Sequence, residues 1–416
     1  MNDLAVWHKN NEEYLSAAIN QLRLRLIRLA EQHQAPAEMA SPPPPYPQKR
    51  SFWNRNRDEA DPSPLEQEKG ARVSNPQIEH VPAAMTQAAV AESPPALMIL
   101  SRRLGLGQFE EHILLLCAAM EFDTRIAALC ARAQNDLSRP YPTFALALAL
   151  FDDPVWEALS PERPLRYWRL IEINQPGAQP LTSSALRADE RIVSYLKGLN
   201  YLDDRLMPLL TPLTDTTDDL PPSQQRQADT IVQHVRTASH GLPVVHLLGA
   251  DSASKRSIVK RVAQELGVSV YRLGADMLPA AFAELETLAR LYQRESQLLP
   301  VALYLDAQDS DKEPPAVNRF LAKMSGLVFL DTRESWSQLG RNALTLDVAK
   351  PSSAEQEDAW RKVLGETERQ ASALLAGQFS LNLPEIERIA HTATGNERPI
   401  IDRVWDDLPP IPWTLG

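Results

Sequence analysis

Cysteine is almost missing from this chain. The two that occur in 416 residues, Cys117 and Cys130, sit in apolar helical stretches. That excludes a disulfide framework and a cysteine-based zinc site, and both read as small buried hydrophobes. Glycine is also scarce, 15 residues against 34 prolines, so glycine-rich flexible linkers are not the organising device. No apolar run approaches the ~18 residues that a membrane span needs. The N-terminus lacks a basic start followed by an apolar stretch, so no secretion signal is read there and the chain is expected to be cytoplasmic. An excess of base is absent too. The net charge of −11 argues against a protein that coats nucleic acid.

What is present is enough apolar material for more than one core. With 44% hydrophobic residues over this length, two or three domains are expected. Residues 1–34 read as an amphipathic helix, with Leu15, Ile19, Leu22, Leu26 and Leu29 stepping by four and three. It is a helix that docks on a partner or on its own protein rather than a coiled coil. Residues 35–94 are proline-rich and polar, including Pro42, Pro43, Pro44 and Pro45, and cannot bury enough apolar surface to order themselves. Inside this linker residues 51–57 interleave the aromatics Phe52 and Trp53 with the bases Arg55 and Arg57. Such a cluster can touch RNA or a partner groove, and is more often incidental.

Residues 95–213 carry helical spacing at 97–104, 109–120, 124–133 and 143–151, with Gly105, Pro140 and Pro142 as stops. A strand is expected at 165–173, a shorter pairing run at 181–186 and a helix at 189–198. Several helices with a small β-ribbon outline a winged helix. Between Pro95 and Asp215 there are twelve Lys/Arg against fifteen Asp/Glu, and a DNA binder needs a basic face. Protein contacts are therefore the expected use of this region, and DNA-binding regulation the less favoured one.

The most informative stretch is 244–267. Residues 244–248 read as a buried strand and 257–266 as the helix that follows. Between them Gly249, Ala250, Asp251, Ser252, Ala253, Ser254, Lys255 and Arg256 have the length of the G-x-x-x-x-G-K-[ST] loop. That loop surrounds phosphates with backbone N–H groups, a Lys and a Mg²⁺-binding hydroxyl. Gly249 and Lys255 are in place, but Ser254 replaces the second glycine and Arg256 the hydroxyl. An ordinary strand–turn–helix with a chance lysine is the alternative. A second motif tips the balance. The apolar run 301–306 ends in Asp306, where enzymes of this kind place an acid for Mg²⁺. Ala307 follows it, where a water-activating Glu would stand. ATP or ADP is thus the expected ligand, bound weakly, with Mg²⁺ poorly held through Asp306 and hydrolysis impaired.

Further runs carry a family resemblance: Arg103-Leu104-Gly105-Leu106, then residues 114–121, 142–149 and 186–191. They resemble a bacterial group of large AAA-family ATPases with an N-terminal winged-helix-like region, often associated with phage-tail-like contractile injection systems. The similarity runs from about residue 95 to 395. In that group a degenerate first AAA-like module precedes an intact second one, and the chain is similar to the first half only; its end at Gly416 leaves no room for a second module of roughly 200 residues. The resemblance implies a AAA-like α/β domain at 222–350 with a parallel sheet, and a truncated helical lid with tail at 351–416. Strands are expected at 268–273, 301–306, 327–330 and 344–348, helices at 281–297 and 316–324. It further implies a polar sensor at Thr332 and an arginine finger at Arg341. Arg398, Pro399 and the prolines at 409, 410 and 412 interrupt the lid's expected last helices.

Two function classes follow. One is a AAA-type ATP-binding protein, itself poorly hydrolytic, that assembles as a homo-oligomer, with ATPase subunits or with an injection particle. The other is a scaffold that keeps the fold without nucleotide.

Overall fold

The computed structural model describes residues 2–34, 93–214, 219–239, 241–310, 313–365 and 368–393. Nearly all of the linker at 35–94 and the tail beyond 393 lie outside these. So do the basic–aromatic cluster and the lid's last expected helices. The chain divides into two compact units, Met1–Gly198 and Leu199–Gly416.

The first unit opens with α1 (Asn2–Gln34), whose buried face is Tyr14, Leu15, Ala18, Leu22, Leu26 and Ala30. This face packs on α4 (Arg125–Ala133) of the same unit, so the amphipathic helix docks on its own protein. Asn11, buried within α1, accepts from the Ala96 N–H at 2.8 Å and donates to the Leu196 carbonyl at 2.9 Å. It thereby ties the start of α2 (Ala96–Leu104) to the end of α7 (Glu190–Leu196). Gly105 ends α2 at φ 72, the left-handed conformation that glycine adopts without a Cβ penalty. After α3 (Gln108–Phe122) and α4 comes α5 (Phe144–Leu150), capped by Thr143 Oγ1, which accepts from the Leu146 N–H at 3.1 Å.

The β-ribbon forms, shorter and later than expected. Pro164 opens a helical turn, α6 (Pro164–Tyr167), and Arg169 takes φ 52, so β1 starts only at Ile171 (Ile171–Asn174). Its antiparallel partner β2 is Ala185–Ala188, because Leu181–Ser183 form a single 3₁₀ turn.

The second unit is built on a six-stranded, mostly parallel sheet in the order β3-β5-β6-β7-β4-β8. The strands are β3 (Thr211–Pro212), β4 (Val244–Leu248), β5 (Ser269–Gly274), β6 (Val301–Asp306), β7 (Val328–Thr332) and β8 (Ala343–Asp347). Only β3, at the edge, runs antiparallel, and it was not expected. Side chains alternate between the two faces. Val245, Leu247, Ala302, Tyr304 and Phe329 share a core with α8 (Pro222–Thr237) and α9 (Ser252–Leu266). Val244, Leu303, Leu305, Val328 and Leu330 meet α10 (Phe282–Leu298) and α11 (Pro315–Lys323) on the other side. Cover on both faces explains the mostly apolar runs of β4, β6 and β7. Leu202, Leu206 and Leu210 join the second core, and Asp203 beside them forms a buried ion pair with Arg294 of α10.

Three further helices follow, α12 (Ser353–Leu364), α13 (Arg369–Gln378) and α14 (Leu383–Ala393), around a core of Trp360, Leu364, Leu375, Phe379, Ile386 and Ile389. Glu355 fastens α12 to α8. Its carboxylate accepts from Ser352 and from both the N–H and Oγ of Ser223. Burial raises its pKa, and these bonds more than offset that, leaving it below the ordinary value.

Candidate functional site at the carboxyl end of strand β4

The chain leaves β4 for β5 on the far side, steps back through β6 and β7, and then places β8 on β4's other flank. Connections reverse direction at β4, and open α/β sheets bind ligands beyond the carboxyl end of such a strand. Gly249 makes the turn there. Its φ is 117, and a Cβ would stand 2.6 Å from the Val348 carbonyl oxygen, so glycine is required by both conformation and space.

The loop is shorter than the sequence implied. Helix α9 begins at Ser252, not at 257, and the Lys255 N–H already bonds the Asp251 carbonyl at 3.3 Å. Without the second glycine, Ser252, Ala253, Ser254, Lys255 and Arg256 all take helical conformation. Only Gly249, Ala250 and Asp251 remain as a turn.

Lys255 points inward and is fully buried. Its ammonium donates to the Gly249 carbonyl at 2.6 Å, to Asp331 Oδ1 at 2.6 Å and to the Thr332 carbonyl at 2.7 Å. An ammonium has three N–H donors, so each has a protein oxygen. Burial lowers the Lys255 pKa, and the charge of Asp331 works against that shift. Asp331, on β7, is fully buried as well. It also accepts from the Tyr304 hydroxyl in a short hydrogen bond and from Gln308 Nε2 at 2.7 Å. Gln308 bonds the Gly249 carbonyl at 2.8 Å, so one side chain spans the turn and the acid. Burial, and then the Asp331 charge, push the Tyr304 hydroxyl well above its usual range.

Asp251 stands at the N-cap of α9, about nine-tenths buried. Its Oδ1 accepts from Asn382 Nδ2 at 2.8 Å, and its Oδ2 has no partner among the described residues. Asn382 caps α14 by a reciprocal pair with Glu385, so the three-helix segment is latched to the turn. A carboxylate here interacts favourably with the helix dipole.

The remaining residues read from the sequence separate. Asp306 ends β6 but pairs outward with Arg272 of β5, at 2.9 and 2.7 Å. Ala307 is buried. Arg256 is half-buried, with no hydrogen bond or ion pair among the described residues. The Thr332 hydroxyl faces the other side of the sheet, 2.7 Å from His246 Nε2, and donates to the Glu334 carbonyl at 2.8 Å. That assigns the Nε2–H tautomer to His246. Burial and then the charge of Lys255 hold its pKa at about 4. Arg341 lies at the opposite end of the sheet, where its guanidinium donates to the carbonyls of Met324 (2.8 Å), Gly326 (3.1 Å) and Leu242. Among the described residues no group of three or more His, Cys, Asp or Glu could hold a metal ion.

Asp331, Gln308, Tyr304, His246 and Asn382 were missed in the sequence. One signal was available for Asp331: an acid inside the apolar run of β7 needs a buried partner.

Comparison with known families supports both ends of the chain. A family described as "Winged helix domain, variant" matches residues 7–210, and one described as "Contractile injection system ATPase helical domain" matches residues 352–407. No curated protein matches the chain. The second match covers α12, α13 and α14, the helices that hold Asn382 against the turn. Among the described residues no helix is long and apolar enough to cross a membrane.

Proposed function

We propose that this chain is an assembly component related to the ATPases of contractile injection systems, with a AAA-like α/β module whose phosphate loop is held shut by its own side chains. It takes up ATP or ADP poorly, holds Mg²⁺ poorly and does not hydrolyse nucleotide. Its partners are proteins: further copies, ATPase subunits or injection-system components. The family match over 352–407 supports the assignment to injection-system ATPases.

The state of Lys255 carries the rest of this reading. A nucleotide phosphate needs that ammonium directed outward and the helix N-terminus left for an anion. In this chain three protein oxygens hold the ammonium, and the Asp251 carboxylate stands at the helix N-terminus. The residues do not fit the group. Arg256 and Ala307 add the loss of the metal hydroxyl and of the water-activating acid, so nucleophile, metal and phosphate clamp are each affected.

Steady-state phosphate release from the purified chain tests this. Background rates are expected, and Ser254→Gly, Arg256→Thr and Ala307→Glu together should recover little. A turnover of about 1 s⁻¹, in the ordinary enzyme range, that is lost in Asp306→Ala would overturn the proposal.

A further inference from the structure

Residues 152–157, Asp-Asp-Pro-Val-Trp-Glu, are exposed without a break. Trp156 is 65% and Val155 37% exposed, although their neighbours Phe151, Ala158 and Leu159 are buried. The indole rests on a chain of packed rings. It stands edge-on to Phe144 at 5.6 Å, Phe144 meets Phe109 at 6.3 Å, and Phe109 meets Phe151 at 6.3 Å. An exposed Trp backed by packed rings is the type of residue that anchors interfaces.

The rim is acidic. Asp153, Glu157 and Glu162 are exposed, with no ion-pair partner among the described residues. Bases beside it are engaged, Arg25 by Asp152 at 3.1 Å, Arg163 by Glu110 at 2.9 Å and Arg166 by the Leu159 carbonyl at 3.1 Å. An occupant should therefore bring base together with an aromatic ring.

The same chain has such a segment. Lys49, Arg50, Phe52, Trp53, Arg55 and Arg57 bring four bases, two aromatics and no acid within residues 49–57, which lie outside the described residues. The Arg25–Asp152 pair fixes α1 beside the patch, and α1 ends at Gln34, roughly 14 Å further along the helix. From Gln34 to Lys49 an extended chain spans up to ~50 Å, so the tether reaches. A tether of this length also gives an effective concentration in the millimolar range.

We propose that residues 49–57 dock on the patch around Trp156 of their own chain, the bases against Asp153, Glu157 and Glu162 and an aromatic ring against the indole. The full-length protein tests this by hydrogen–deuterium exchange. Amides of 153–162 and of 49–57 should exchange about threefold or more slowly than in a chain carrying K49E, R50E, R55E and R57E, given a millimolar local concentration. Trp156→Ala should release 49–57 to the same degree without lowering the melting temperature. The protection should fall between 0.05 and 0.5 M salt, as surface charge contacts are screened, and should not change on tenfold dilution. Equal exchange in the wild-type and charge-reversed chains would overturn the proposal. Protection that disappears on dilution would overturn it too, by placing the segment on another copy.

Discussion

The two ends of the parallel sheet each hold a cation that the sequence offered for nucleotide chemistry, and each end spends it on the fold. At the carboxyl end Lys255 is held by one acid and two carbonyls. At the amino end Arg341 is held by three carbonyls and no acid. The first is a charge pair that must be complete to be tolerated, because a buried ammonium without its carboxylate is costly. The second is a polar strut that reaches from the entrance of β8 to the carbonyls at the entrances to β4 and β7. A cation's place in a motif thus says little about its use until its donors are accounted for.

This difference can be tested by removing one partner at a time. The largest effect is expected at the buried pair. Asp331→Ala leaves Lys255 buried and uncompensated, and should lower unfolding free energy by about 3–5 kcal/mol in chemical denaturation. The double variant Lys255→Met, Asp331→Leu should recover at least half of that. A loss under about 1 kcal/mol in the single variant would mean that solvent reaches the pair.

The next effect is one of pH. His246 has a folded pKa near 4, depressed from its usual value. Its contribution is therefore fully present above about pH 6.5 and is lost as pH falls towards 4, while the unfolded chain takes up the proton. The loss should total about 3 kcal/mol. His246→Asn, which keeps a donor for Thr332, should flatten stability over that window. An unchanged slope would assign the acid sensitivity to other groups.

Arg341→Ala should cost about 2 kcal/mol, since it strands buried carbonyl acceptors, and the loss should be independent of pH between 5 and 9. The smallest effect is expected at the latch. Asn382→Ser keeps an oxygen to cap the Glu385 N–H, removes the hydrogen bond to Asp251 and should cost about 1 kcal/mol, read as faster exchange across α14 with the sheet unaffected. Faster exchange in β4 and β7 would show that the latch supports the whole carboxyl end.

Much of this architecture was legible in the sequence, and for identifiable reasons. Helices with stop residues were placed within a residue or two: Gly105 and Thr143 are local signals with a local mechanism. Strands β4 and β6 were read from their short apolar runs. Errors came where backbone conformation overrides propensity. Arg169 at positive φ delays β1, and the missing second glycine lets α9 start at Ser252. The site itself was half legible. Gly249 and Lys255 stand out in the sequence as motif residues, but periodicity cannot tell which acid a lysine will face. Asp306 stood at the motif position, whereas Asp331, one strand over, takes the ammonium. That choice is made by tertiary geometry: Asp306 and Asp331 are register neighbours on adjacent strands, but Arg272 takes Asp306 while Asp331 meets the ammonium.

Titration of the purified chain with a fluorescent ATP analogue, with and without Mg²⁺, tests the closed loop most directly. If Lys255 belongs to the fold, no saturable binding should develop up to about 1 mM, the upper range of ordinary substrate affinities. Lys255→Ala should then change stability and leave the titration flat. Micromolar binding that disappears in Lys255→Ala would contradict this, and would show that the ammonium leaves Asp331 to meet phosphate.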